Sequence, residues 1–158
     1  MDLILWRHAE AADGAPDLDR PLTAHGRAQA KAMAVWLEGR LPKKLRILVS
    51  PARRAQETAQ ALDRPFKTVG EIAPGVDARS LIEVSGWPDD ARSVLLVGHQ
   101  PTLGEAVSTL MSGREATWRF AKGAIWWLRS RPRRTRIEAV LVLTIEPAML
   151  EPGRGEGR

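Results

Sequence analysis

The sequence predicts an α/β fold: a single domain with a mainly parallel sheet, helices on both faces, and a C-terminal antiparallel hairpin. Two patterns predict it. Three short, mostly apolar runs, "LILW" (3–6), "RILV" (46–49) and "SVLLV" (93–97), each end in polar residues before a helical pattern begins. Runs of that length suit strands covered on both faces. Near the C-terminus, "GAIWWLRS" and "IEAVLVLTI" follow one another with only an arginine-rich stretch between them, as in a hairpin.

The elements follow in order. After the first strand comes a polar, Asp- and Pro-containing loop to about Leu22, and then "TAHGRAQAKAMAVWLEGR". Thr23 is suited to the N-cap, Gly39 to the end, and Ala28, Ala32, Val35 and Trp36 recur at helical spacing. Ser50-Pro51 is expected to open a second helix, "PARRAQETAQAL", which Pro65 follows. "PFKTVG" reads as a short strand, Ala78 to Val84 as a short helix, and "PTLGEAVSTLM" as the helix after the third strand. Residues 1–146 are expected to form the domain and 147–158, ending in "EPGRGEGR", a flexible tail.

Composition narrows the function. At 158 residues and 44% hydrophobic content the chain suits one globular core. No apolar run approaches the roughly 18 residues of a membrane span, and no basic segment with a signal core opens the chain, so a cytoplasmic protein without membrane attachment is expected. The chain has no cysteine and only three histidines, a poor set for zinc. A net charge of +5 is compatible with anionic partners but modest for nucleic acid, and no recognition motif accompanies it. Arg129, Arg131, Arg133, Arg134 and Arg136 crowd one stretch, read as a solvated turn or as a dock for an acidic partner.

The chemistry collects at strand ends. Arg7-His8 follow the first strand, Ser50 to Arg54 the second, and Gly98-His99 the third. In a parallel sheet these ends share one edge, toward which the following helices aim their positive N-termini. Two histidines and two or three arginines would thus converge on a pocket suited to a phosphoryl group, whose oxygens match guanidinium forks. His25, early in the first helix, reads as a surface residue, and Trp118, Trp126 and Trp127 as packing.

"RHAEA", "RPLTAHG", "SPARRAQETA" and "GHQP", in that order, resemble the motifs of the histidine phosphatase, or phosphoglycerate mutase-like, superfamily. The short chain and the lack of an inserted helical subdomain make it most similar to the SixA-type phosphohistidine phosphatases. The resemblance covers the chain to about Thr144 and implies a phosphoglycerate mutase-like fold. It further implies that His8 is the nucleophile that becomes transiently phosphorylated. Arg7 and Arg54 would bind the phosphoryl oxygens, and His99 would stabilise the transferring group. Arg54 rather than Arg53 fits the pattern, because Ala55 and Thr58 follow it at the matching spacing. No metal or cofactor is required by that scheme.

Two positions depart from the family pattern. Ala9 stands where glycine commonly follows the nucleophile, which would strain a left-handed backbone. Gln100 stands where some relatives have an aspartate that donates a proton. Other acids are Glu10, Asp17 and Asp19 in the first loop and Glu83 further on; Glu83 and Asp19 are the candidate donors, neither with a telling spacing. A site without a strong acid suits a P–N bond better than a P–O bond, since an imidazole leaves after protonation near neutrality. The expected activity is therefore hydrolysis of phosphohistidine on a protein such as a phosphotransfer domain. A phosphatase of a small phosphomonoester and a non-catalytic phosphate-binding module are the alternatives.

Overall fold

The computed structural model describes residues 1–151. Six strands, β1 (Asp2–Arg7), β2 (Leu45–Val49), β3 (Lys67–Thr68), β4 (Ser93–Gly98), β5 (Ile125–Arg133) and β6 (Arg136–Ile145), form one sheet in the order β3-β2-β4-β1-β5-β6. The first four in that order run parallel; β5 pairs antiparallel with both β1 and β6. Helices α1 (Ala24–Leu37), α2 (Arg53–Gln60), α3 (Ala78–Ser85) and α4 (Thr102–Ser112) connect them.

Strand alternation decides which helix covers which face, because successive side chains point to opposite sides of a sheet. Ile4, Trp6, Ile47, Val49, Leu95 and Val97 pack with α1 and α2. Leu3, Leu5, Leu48, Val94 and Leu96 pack with α3 and α4. The sheet is therefore buried on both faces, which explains why its central strands are apolar throughout.

The first helix forms where the spacing places it, and the residues that recur in that spacing are not the ones it buries. Gly26, Ala30, Met33, Ala34 and Leu37 face the sheet, while Ala28 and Val35 are exposed, Val35 to 63%. Alanines run around much of this helix, so periodicity alone does not select the inward face. Its N-cap is as expected: the Thr23 hydroxyl accepts from the Gly26 N–H at 2.9 Å. The second helix begins at Arg53 rather than Pro51, which leaves Ser50 free for another task.

The hairpin strands also run further than expected, so that Arg129, Arg131, Arg133 and Arg136 lie on strands and only Arg134 in the turn. Arg129 is bonded to Asp2 and Arg133 to Glu138. Toward the other end, Phe120 stacks on Trp126 with ring centroids 5.0 Å apart, and Trp118 packs beside it. The expected tail does not begin at residue 147. Pro147–Met149 form a 3-10 turn with Pro147 buried, and Leu150 packs against the core; residues 152–158 lie outside the described residues.

Candidate active site

Strand register builds the site. β1 and β4 are neighbours, with Arg7 opposite Gly98, so the residues after them, His8 and His99, emerge side by side at the carboxyl edge. The His8 N–H donates to the Gly98 carbonyl at 3.1 Å, and the two imidazole centroids lie 5.1 Å apart. β2 ends one strand over, and the turn after it presents Ser50 before α2 brings in Arg54. His8, His99 and Arg54 are all nearly buried, at 7%, 3% and 5% exposure.

His8 is held for one role. Its Nδ1 lies 2.7 Å from the Ala9 carbonyl, a pure acceptor, so Nδ1 carries the proton and Nε2 keeps its lone pair. Burial lowers the His8 pKa to about 4, against the pull of the Ala9 carbonyl, and the charges of Arg54, Arg7 and Lys122 push the same way. The ring is neutral at pH 7 and able to act as a nucleophile. Ala9 sits outside the left-handed region, and its N–H donates to Thr58 Oγ1 at 3.0 Å. Alanine is thus unstrained here, and glycine is not needed.

His99 is oriented by Ser50, whose place before Pro51 suggests only a helix start. Ser50 Oγ lies 2.7 Å from His99 Nε2 and also accepts from the Ala52 N–H at 3.2 Å. Ser50 Oγ is buried and has no acceptor for its proton other than Nε2 among the described residues, so the hydroxyl is read as donating to Nε2, with the ring proton on Nδ1. That Nδ1 is buried without a hydrogen-bond partner, as is Arg7 Nε. Two buried donors lacking acceptors at one strand edge are what an oxyanion would satisfy. Burial, followed by the charges of His8 and Arg54, brings the His99 pKa down to about 3.

The arginines are aimed by backbone. Arg7 Nη1 donates to the Phe120 carbonyl at 2.7 Å. Arg54 donates to the Asp17 carbonyl from Nη1 at 2.8 Å and to the Asp17 carboxylate from Nη2 at 3.1 Å. Arg53 instead pairs with Glu57 on the exposed side of the helix.

The candidate acids disperse. Glu83 is bonded to Arg79 one turn earlier, its side chain 65% exposed. Asp19 is exposed in a 3-10 turn and makes no hydrogen bond to His8 or His99 among the described residues. Glu10 accepts from the Thr23 hydroxyl at 2.8 Å. The carboxylate that does reach the cluster is Asp17, and Arg20 and Arg54 lower its pKa, so it is ionised at neutral pH. Gln100 spends its amide on the Trp118 carbonyl and the Gly104 N–H.

The chain belongs to the histidine phosphatase superfamily (branch 1), whose family model matches residues 3–90. Within it the chain is SixA-like, and it is a phosphatase, an enzyme of the hydrolase class. It is 32% identical to phosphohistidine phosphatase SixA of Escherichia coli (strain K12) over 124 residues, 72% of this chain and 76% of that one. A SixA homolog of Haemophilus influenzae (strain ATCC 51907 / DSM 11121 / KW20 / Rd) is 37% identical over 130 residues, 72% of this chain and 79% of the relative. The structure of the protein histidine phosphatase SixA complexed with tungstate superposes with a TM-score of 0.74 at 29% identity, covering 96% of this chain and all of that one.

Proposed function

We propose that this phosphatase hydrolyses phosphohistidine on a protein, with His8 as the nucleophile. His8 Nε2 attacks phosphorus and the P–N bond to the substrate imidazole breaks. The phosphoryl group passes to His8, and the substrate imidazole, protonated on its other ring nitrogen before the bond breaks, leaves as the neutral ring. Water then attacks phosphorus, the His8–phosphorus bond breaks, and inorganic phosphate leaves. Arg7, Arg54 and the His99 Nδ1–H hold the three phosphoryl oxygens through both steps, opposing the charge that develops on them.

The observation that carries the substrate choice is the state of the acids. Asp17, the carboxylate at the cluster, is pinned ionised by two guanidinium groups, while Glu83 is bonded to Arg79 and Asp19 is exposed in a 3-10 turn. An alkoxide needs a proton donor to leave, whereas an imidazole, protonated near neutrality, does not. The names and substrates of the SixA relatives support the same reading.

The test compares phosphate release from a phosphohistidine-bearing protein and from a panel of phosphomonoesters, using the native chain and His8→Ala. Release from phosphohistidine at a kcat/KM at least 100-fold above the esters, abolished by His8→Ala with an unchanged unfolding midpoint, is expected. Preference for an ester would overturn the substrate, and activity surviving in His8→Ala would overturn the nucleophile.

A further inference from the structure

Arg119 and Lys122 lie on the loop entering β5, on either side of Phe120 and Ala121, and both are exposed. The loop between them is locked to the catalytic edge. The Phe120 carbonyl receives Arg7, the Gly123 N–H donates to the His8 carbonyl at 3.0 Å, and the Arg7 N–H donates to the Ala124 carbonyl at 2.9 Å. Beside Arg7 a recess of about 360 Å³ opens, with Arg119, Lys122, His25, Glu146 and Glu151 in its wall.

The charges of these two exposed cations are felt at the phosphoryl pocket. Arg119 makes the Arg7 guanidinium easier to deprotonate and Lys122 does the same to His8, so both charges reach the site. Neither side chain has a hydrogen bond or ion pair among the described residues, unlike Arg20, Arg46, Arg53, Arg79, Arg129 and Arg133, each of which meets a carboxylate. Two cations left without an ion pair at the rim of an anion pocket can engage a further anion that arrives with the substrate.

We propose that Arg119 and Lys122 form a second anion-binding site, which engages a carboxylate on the surface of the phosphorylated protein while its phosphohistidine occupies the His8 pocket. The proposal rests on the phosphohistidine reading above. Two exposed cations at an open rim suit a protein surface laid across the mouth. The hairpin arginines do not compete for this role. β5 runs antiparallel to β1, with Asp2 opposite Arg129, so the turn at Arg134 lies at the other edge of the sheet. The nine residues of β5 separate it from Ala124, about 30 Å at strand rise.

The experiment uses two phosphohistidine peptides differing only in flanking residues, acidic in one and neutral in the other, with the native chain and the Arg119→Gln/Lys122→Gln double variant. For the native chain we expect a KM about fivefold lower for the acidic peptide, a preference that shrinks with added salt. In the double variant the two KM values should converge while the ratio of the two kcat values stays as in the native chain. A native chain without preference, or a preference that survives in the double variant, would overturn the site. If neither peptide is hydrolysed, the phosphohistidine reading fails on its own. The same KM ratio, taken between an alkyl phosphate and its carboxylate-bearing analogue, then decides whether the second anion site serves a small substrate instead, which would overturn its assignment to a protein surface.

Discussion

At the scale of single residues, the site depends on groups that never touch the substrate. Ser50 determines which nitrogen of His99 carries the proton, through a 2.7 Å hydrogen bond in a buried setting. Ser50→Ala leaves Nε2 without its donor, at a cost of about 1–3 kcal/mol for a buried unsatisfied group. Steady-state kinetics should show kcat reduced about 10- to 100-fold with KM little changed, and Ser50→Thr should restore most of it. Equal kcat in Ser50→Ala would mean that the tautomer of His99 is set elsewhere. Asp17 acts in the opposite sense, because its carboxylate occupies an Arg54 donor that a phosphoryl oxygen would use. Its side chain is 56% exposed, so the ion pair is worth at most about 1 kcal/mol. Asp17→Ala should tighten competitive inhibition by inorganic phosphate two- to fivefold; unchanged or weaker inhibition would show that Asp17 instead positions Arg54.

At the scale of elements, α1 positions the loop that follows His8, the proposed nucleophile. Its start is tied to Glu10 three times: the Thr23 N–H donates to the Glu10 carbonyl, the Thr23 hydroxyl to the Glu10 carboxylate, and Gln29 receives the Glu10 N–H. Gly26 permits this approach, since a Cβ there would run into the Glu10 carbonyl oxygen and carbon. Gly26→Ala must push the helix off the loop, an overpacking change of about 1–3 kcal/mol. Thermal unfolding should show a midpoint several degrees lower, with kcat/KM falling as well. A drop in stability with intact kinetics would separate α1 from the catalytic loop.

At the scale of the whole molecule, burying two neutral histidines makes stability depend on pH. In the folded chain His8 and His99 resist protonation until about pH 4 and 3, whereas the unfolded chain takes up protons from the ordinary value of 6.5. The unfolded state therefore binds more protons as pH falls below 6.5, and the folded state loses stability in that window. At pH 5 the loss is about 2 kcal/mol per histidine. Denaturant unfolding at pH 7 and pH 5 should show this loss in the native chain and a clearly smaller one in His8→Asn/His99→Asn. An equal loss in both proteins would place the acid sensitivity in other groups.

Much of this molecule is written locally in its sequence. The apolar runs that end in Arg7-His8, Val49-Ser50 and Gly98-His99 determine buried parallel strands, and parallel strands bring their carboxyl ends to one edge whatever the loops do. Thr23 as a cap and the hairpin after Gly123 are local as well, set by backbone donors and by residue alternation. Only the tertiary structure decided which stripe of an alanine-rich helix turns inward, because that choice belongs to the surface it meets. It also decided which acid reaches Arg54, what Ser50 bonds, and which cations stand beside the phosphoryl pocket. Asp17 lies 37 positions from Arg54 and Ser50 lies 49 from His99, and no local pattern relates residues that far apart until the chain has closed around them.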